Sequence, residues 1–360
     1  MTGGRLRRLR VGVSACPLIK PYELSFVSLT AFDSVWVIAE DDNGRIGVGE
    51  AVPLPGYNWE TLDTIRETVA MLVAGADGQP CSGIAERCRS VRTDHPFAAS
   101  AVMSALDMPS FLGCAESGVR FALSAPVAAE WPLPELRRAV GAHLAAGYGF
   151  IKAKVGRDYD SDVAAARCLL REWPGRRFGV VFDPNQAYSS DAALAFAQEL
   201  RDCASDRLQW FEQPVDRHDW DAMERICRAR QVHVVLDESI YDEADVVRAA
   251  KIGAYGVKLK LMKNFGVAET LSLAQYARYL GLVVVFGNGV ATDIGNFGEY
   301  LVLAAGQGMF ASPGECSGFA KLREPLLGPL LAIGEDGRMT CSTASTDIAG
   351  RLRHFAQRAG

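Results

Sequence analysis

The chain of 360 residues is poor in the groups that zinc chemistry uses. Its five histidines are dispersed and form no H-E-x-x-H. Its nine cysteines are scattered, with no C-x-x-C and no Cys/His pair at zinc spacing, which argues against structural zinc and a zinc hydrolase. They read instead as small buried residues in a reducing compartment. No G-x-S-x-G, Walker A or G-x-G-x-x-G pattern occurs; the glycines of "FGNGVATD" (Phe286–Asp293) lack that spacing. No run of about 18 apolar residues is present to span a bilayer. A net charge of -5 gives no reason to expect a nucleic-acid or membrane partner. The one basic cluster, "RLRRLR" at Arg5–Arg10, is short and could be a targeting remnant, although no signal-type apolar segment follows it. By default the expected location is cytoplasmic.

What is present is ordinary globular material, 49% hydrophobic and 22% charged, enough for one large core or two domains. Residues 1–118 read as strands followed by helices. "FDSVWVIAEDDNGRIGVGEA" (Phe32–Ala51) is two apolar strands around Asn43-Gly44, a strong hairpin signal. Helical stretches follow in "ETLDTIRETVAMLVAG" and "PFAASAVMSALDMPSFLG". From Val119 onward, short apolar strands alternate with amphipathic helices, the signature of a parallel sheet covered on both faces. Six strands are clear: "FIKAKVG", "FGVVFD", "LQWFEQP", "VHVVLDES", "YGVKLKL" and "LVVVFGN". Adding "ALSAPVA" before them and "GMFASPGE" after them gives about eight, which favours a closed barrel over an open sheet.

The charges fall in a pattern. The second to sixth strands end their apolar runs on Lys154, Asp183, Glu212, Asp237 and Lys260, separated by 29, 29, 25 and 23 residues, one βα unit each. In a barrel these ends converge on one mouth, where such folds place their chemistry. Each alone has a plain explanation, a helix cap or a solvated lysine; five in succession do not. Three carboxylates so placed require a cation, and an all-oxygen set suits a Mg²⁺-like ion. A metal can bind a substrate carboxylate and stabilise the enediolate left by loss of an α-proton, while a lysine on each side moves that proton. Near neutral pH a second lysine and a metal would push the base's pKa down. In "FIKAKVG", Lys152 and Lys154 share one strand face.

K-x-K on the second strand, then "DPNQAY", "FEQP", "DES" and "KLMKNFG" in this order, resembles the enolase superfamily, within it the muconate lactonizing enzyme group. The use of a Lys or His base with Mg²⁺ is a known feature of that superfamily. The resemblance covers nearly the whole chain. It implies a (β/α)7β-type modified TIM barrel over residues 119–324, with an N-terminal α+β capping domain over 1–118 completed by 325–360. It further implies Asp183, Glu212 and Asp237 as ligands of Mg²⁺ (Mn²⁺ as a substitute), Lys154 and Lys260 as acid/base lysines on opposite faces, and Lys152 beside the substrate carboxylate. Asn185 and Glu238 would support the ligands, and Lys263 would merely start a helix. The cap stretches "PYELSF" and "PGYNWE" would line the pocket, with Tyr57 and Trp59 either facing it or packing the cap. Asn288 is a further candidate for substrate contact.

Departures from the group are equally specific. Pro184 follows the first ligand and stiffens that turn. Ala291 stands where the seventh strand of the group ends in an acid, leaving Asp293 as the nearest carboxylate. Glu315 of "PGECSGFAKL" matches the lactonizing E-x-x-G and not the D-x-D of dipeptide epimerases, which speaks against a dipeptide substrate. If Glu315 or Asp293 faced the pocket, a cationic amine would be favoured. The resemblance thus implies a homo-oligomeric enzyme acting on a small-molecule carboxylate. Racemisation or epimerisation comes first, β-elimination or cycloisomerisation from the same intermediate second, and a non-catalytic binding barrel is a distant third.

Overall fold

The computed structural model describes residues 4–23, 28–341 and 345–358. The chain begins with an antiparallel meander of β1 (Leu6–Glu23), β2 (Ser28–Asp41) and β3 (Ile46–Ala51). The β2–β3 hairpin turns through Gly44 at φ 73, with the Asp41 carboxylate accepting from the Asn43 and Arg45 amides. That positive φ is what the Asn-Gly signal requires. The basic "RLRRLR" is built into the sheet: from Leu6 it is the start of β1, and Arg7 donates to Glu40 at 3.0 Å.

Helices α1 (Leu62–Val73), α2 (Cys81–Val91) and α3 (Pro96–Asp107) cover the meander. Eleven of the twelve α3 residues are buried, because this helix lies between the meander and the barrel. Its approach to β3 is very close: a Cβ on Gly49 would lie 2.0 Å from the Ala101 carbonyl oxygen. Only glycine fits there.

A short β4 (Phe121–Ala122) leads into the barrel: β5 (Ser124–Ala128), α4 (Leu133–Ala145), β6 (Phe150–Lys154), α5 (Tyr159–Arg171), β7 (Gly179–Asp183) and α6 (Ser190–Asp202). The alternation continues through β8 (Leu208–Glu212), α7 (Trp220–Ala229), β9 (Val234–Leu236), α8 (Glu243–Ile252), β10 (Gly256–Leu259), α9 (Gly266–Tyr279), β11 (Val283–Phe286) and α10 (Asp293–Ala305). Strands β5 to β11 form one parallel sheet in sequence order. The expected eighth strand is instead an irregular segment. The Ala311 amide donates to the Val284 carbonyl, and Gly314 exchanges bonds with Ala122 and Ser124, which closes the ring between β11 and β5. Pro313 lies between these contacts and has no N–H to continue a ladder.

The chain ends in β12 (Leu331–Ile333), β13 (Arg338–Cys341) and α11 (Ser345–Arg358). Strand β13 pairs with β4, and Phe355 of α11 meets Trp36 of β2 edge to face at 5.4 Å. All nine cysteines are free and eight are buried. Among the described residues no helix is long and apolar enough to cross a membrane.

Candidate active site

The C-terminal strand ends bring the charged residues together. Strands β6, β7 and β8 finish on Lys154, Asp183 and Glu212; Asp237 and Lys260 directly follow β9 and β10. The three acids are almost fully buried, at 0–1% exposure. Each turn is set by a side chain nearby. The Asn185 amide donates to Asp183 Oδ1 at 2.9 Å, and Asn185 and Gln186 adopt positive φ after Pro184. Asn tolerates this conformation because its side chain bonds locally. Gln213 of "FEQP" is wholly buried and accepts from the Asp237 amide at 2.8 Å, tying the ends of β8 and β9 together. Asn264 accepts from the Lys260 amide at 2.7 Å and folds the chain after β10 back over the mouth.

That fold-back corrects one expectation. Lys263 does not start a helix; α9 begins at Gly266. Its buried ammonium donates to the Asp237 carbonyl and, at 3.1 Å, to Asp237 Oδ1. Lys260 holds the other Asp237 oxygen at 2.7 Å. Tyr57 comes down from the cap onto the same pair: its hydroxyl donates to Asp237 Oδ1 at 3.1 Å, and Lys260 Nζ lies 4.2 Å from its ring centre. Of the two choices for Tyr57, it faces the site.

Across the mouth, Lys154 bonds Asp183 Oδ2 at 2.6 Å and Asn185 Oδ1 at 2.7 Å. Asn185 in turn donates to Glu238 at 3.1 Å, so both supporting candidates lie beside the acids. Lys152 sits deeper, 2.7 Å from Asp183, 2.8 Å from Glu212 and in contact with Glu315. Directly opposite is Lys258, which the strand-end pattern overlooks. It is 1% exposed and lies 2.6 Å from both Glu212 and Glu315. A signal existed: "KLK" is a second K-x-K, and the same-face argument used for "FIKAKVG" applies to it. Lys152, Glu212, Lys258 and Glu315 form a closed ring of alternating charge. They come from β6, β8, β10 and the closing segment, alternate positions around the barrel, as in the four-membered layers that fill barrel interiors.

Three other candidates fall differently. Asp293 turns away from the mouth, its carboxylate accepting from the Leu326 and Leu327 amides at 2.8 and 2.6 Å. The first turn of α10 aims it at the C-terminal loop. Trp59 is 47% exposed and lines a neighbouring cavity; its indole donates to the Asp94 carbonyl and Arg217 stacks over its ring. Asn288 does line the charged pocket, its side-chain amide turned toward the buried Glu299 carboxylate. Tyr22 of "PYELSF" lines it as well, whereas Leu24–Phe26 lie outside the described residues. A roomier cavity of about 550 Å³ opens near the starts of β8 and β9, away from the converging charges, and has no part in this constellation.

Burial works against the Lys260 and Lys152 ammonium groups, but their carboxylate partners outweigh it and hold both above the ordinary lysine range. Asp183 and Asp237 are driven below the carboxylate range by surrounding lysines, despite burial. Lys263 is the lysine pushed down, to about 8, by burial and then the Lys260 charge, with Asp237 opposing.

Among the described residues no three carboxylate, imidazole or thiol groups converge on one point as they stand. Each candidate ligand turns an oxygen to an ammonium group instead. The donor chemistry still fits a hard divalent cation: three dry carboxylates from consecutive strands, no soft ligand, and beside them Glu238 Oε2, buried without a partner.

Comparison with known proteins agrees with this layout. Residues 135–318 match the family model described as Enolase C-terminal domain-like. The chain is 27% identical over 294 residues to an N-succinyl-L-Arg/Lys racemase of Bacillus cereus, covering 77% of this chain and 78% of that protein. It is 22% identical over 344 residues to an o-succinylbenzoate synthase of Listeria innocua, covering 91% and 88%. In three dimensions it resembles a dipeptide epimerase of Enterococcus faecalis V583, solved with Mg and the dipeptide L-Leu-L-Tyr. The TM-score is 0.82 at 22% identity, over 94% of this chain and 98% of that one.

Proposed function

Because the chain belongs to the enolase C-terminal domain-like family, we propose that it is an isomerase that removes and returns the α-proton of a small carboxylate. One observation carries this reading. Lys154 and Lys260 project from strands four positions apart in a ring of eight, so they face each other across the mouth, each on its own aspartate. One lysine takes the proton, leaving an enediolate, and the other delivers a proton to the opposite face, which inverts the carbon. Asp183, Glu212 and Asp237 are the residues that would hold Mg²⁺, with Mn²⁺ as a substitute. Such an ion would draw these carboxylates off the lysines, freeing an amine to act as base, and would stabilise negative charge on the substrate carboxylate. Tyr57 and Asn185 orient Asp237 and Asp183, and Lys152 steadies the carboxylate end from below.

A second reading is supported by the Listeria relative: the same intermediate with a β-leaving group gives elimination, hence a lyase. The two separate in one experiment. Single enantiomers of a carboxylate panel, N-acyl amino acids included, are incubated in D₂O with Mg²⁺ and followed by proton NMR and polarimetry. Solvent deuterium at the α-carbon with loss of optical rotation is expected. Release of water with a new alkene signal establishes the lyase reading. No exchange from any acid sinks both.

A further inference from the structure

The Tyr57 hydroxyl on Asp237 and the Tyr57 ring over Lys260 depend on how the cap turn before α1 is held. Within the turn, the Tyr57 and Asn58 amides both donate to the Leu54 carbonyl, at 3.0 and 3.4 Å, and Gly56 bends the chain at φ 88. Its far end is tied to the start of α3, where the Glu60 carboxylate accepts from the Phe97 and Ala98 amides at 2.7 and 3.1 Å. Those bonds fix the turn to the cap.

Arg217, in the loop between β8 and α7, grips the same turn from the barrel side. Its Nη1 donates to the Tyr57 carbonyl at 3.1 Å, and its guanidinium lies 5.1 Å over the Trp59 ring. Its Nε donates to His218 Nε2 at 3.1 Å, which fixes the plane of the group. The Arg217 backbone is held just as firmly. Its amide donates to Gln186 Oε1 at 3.0 Å, in the turn after Asp183, and its carbonyl accepts at 3.0 Å from the hydroxyl of Ser239, two residues beyond Asp237. Gln213, next to Glu212, donates to that same hydroxyl at 2.9 Å. The turns after all three acids therefore carry the base of Arg217, and its head carries the cap turn. A planar guanidinium suits this double contact, one donor to a carbonyl and one face to an indole, better than an ammonium group on a flexible stem.

We infer that Arg217 is a positioning residue: it fastens the cap turn to the strand ends of the site and so sets Tyr57 on Asp237 and Lys260. The inference rests on the proton-transfer reading above and adds a residue that acts through Tyr57. It makes the loss of Arg217 one-sided. Lys154, across the mouth, takes its partners from Asp183 and Asn185, and the backbone bonds of Arg217 survive replacement of its side chain.

The test uses Arg217→Met, which keeps the stem and removes the guanidinium. Deuterium exchange is measured on the Mg²⁺-loaded enzyme with both enantiomers of one acid. For the hand whose exchange Lys260→Ala removes, kcat should fall roughly threefold to tenfold with KM little changed, and the other hand should change less than about twofold. Placed in Tyr57→Ala, the same replacement should slow exchange no further, because the two residues act as one unit. Arg217→Lys, which keeps a cation near the indole, should recover part of the loss. A second readout needs no turnover: in the metal-free protein, amide hydrogen exchange over residues 54–60 should quicken in Arg217→Met while β7 and β8 keep wild-type protection. Equal slowing of both hands, a loss of the same size in Tyr57→Ala, or unchanged amide exchange at 54–60 overturns the inference and leaves proton transfer intact. Absence of α-proton exchange from every acid in the wild type overturns the proton-transfer reading, and the amide exchange then decides the fastening by itself.

Discussion

Strands β6 and β10 carry the same K-x-K spacing on opposite sides of the barrel, and their lysines divide the same way. The inner pair, Lys152 and Lys258, is buried and shares Glu212 and Glu315. The outer pair, Lys154 and Lys260, sits one strand step higher, each on its own aspartate. A two-residue step keeps the face and moves about 7 Å along the strand, so identical side chains become the floor and, in the proposed reaction, the acid/base pair. The strands differ at the rim. The Lys154 side chain keeps 23% exposure, whereas Lys260, at 5%, is capped by the Tyr57 ring. The lesson is that a lysine's role here is set by its height in the barrel, and its access by the cap.

Removing the outer lysines should have the largest effect. Lys154→Ala and Lys260→Ala should each lower the deuterium-exchange rate by roughly 10²–10⁴-fold. With single enantiomers as substrates, the two variants should spare opposite hands. Wild-type-like exchange in both would end the assignment of these lysines to proton transfer.

The inner pair should show itself mainly in stability. Lys258→Met leaves the buried Glu212 and the partly exposed Glu315 with one lysine fewer, and breaking the buried Lys258–Glu212 pair in this way costs about 3–5 kcal/mol. Lys152→Met should cost a similar amount, because both lysines serve the same acids. Urea unfolding of the metal-free protein measures this. A Lys258→Met variant as stable as wild type would mean that the ring holds nothing together.

The smallest effect tests the asymmetry at the rim. Tyr57→Phe keeps the ring over Lys260 but removes the hydroxyl bond to Asp237, worth about 1.5 kcal/mol, or roughly tenfold in rate. It should slow exchange through Lys260 and leave the Lys154 direction less affected. Equal slowing for both enantiomers would show that the cap does not distinguish the two sides.

Much of this site was legible because one βα unit separates its residues and strand ends expose what they end on. Asp183, Glu212 and Asp237 needed only that regularity, and Lys154 and Lys260 bracket them. Lys258 was overlooked because it lies inside an apolar run, where a lysine looks like noise until its face is counted. Lys263 was misjudged because its reach depends on Asn264 folding the chain back after β10, a turn that side-chain hydrogen bonds create.

The sequence by itself determined the alternation of strands and helices, the hairpin at Gly44 and the order in which charges reach the barrel mouth. These are local matters of period, turn chemistry and spacing. Tertiary structure alone decided that Asp293 serves the Leu326 and Leu327 amides and Trp59 the neighbouring cavity. It also decided that Tyr57 comes down onto Asp237 and that Glu315 is held by two lysines. Each of those facts is a contact between segments far apart in the chain. Which partner a buried polar group finds is settled by the whole packing arrangement, since every such group must be satisfied at once.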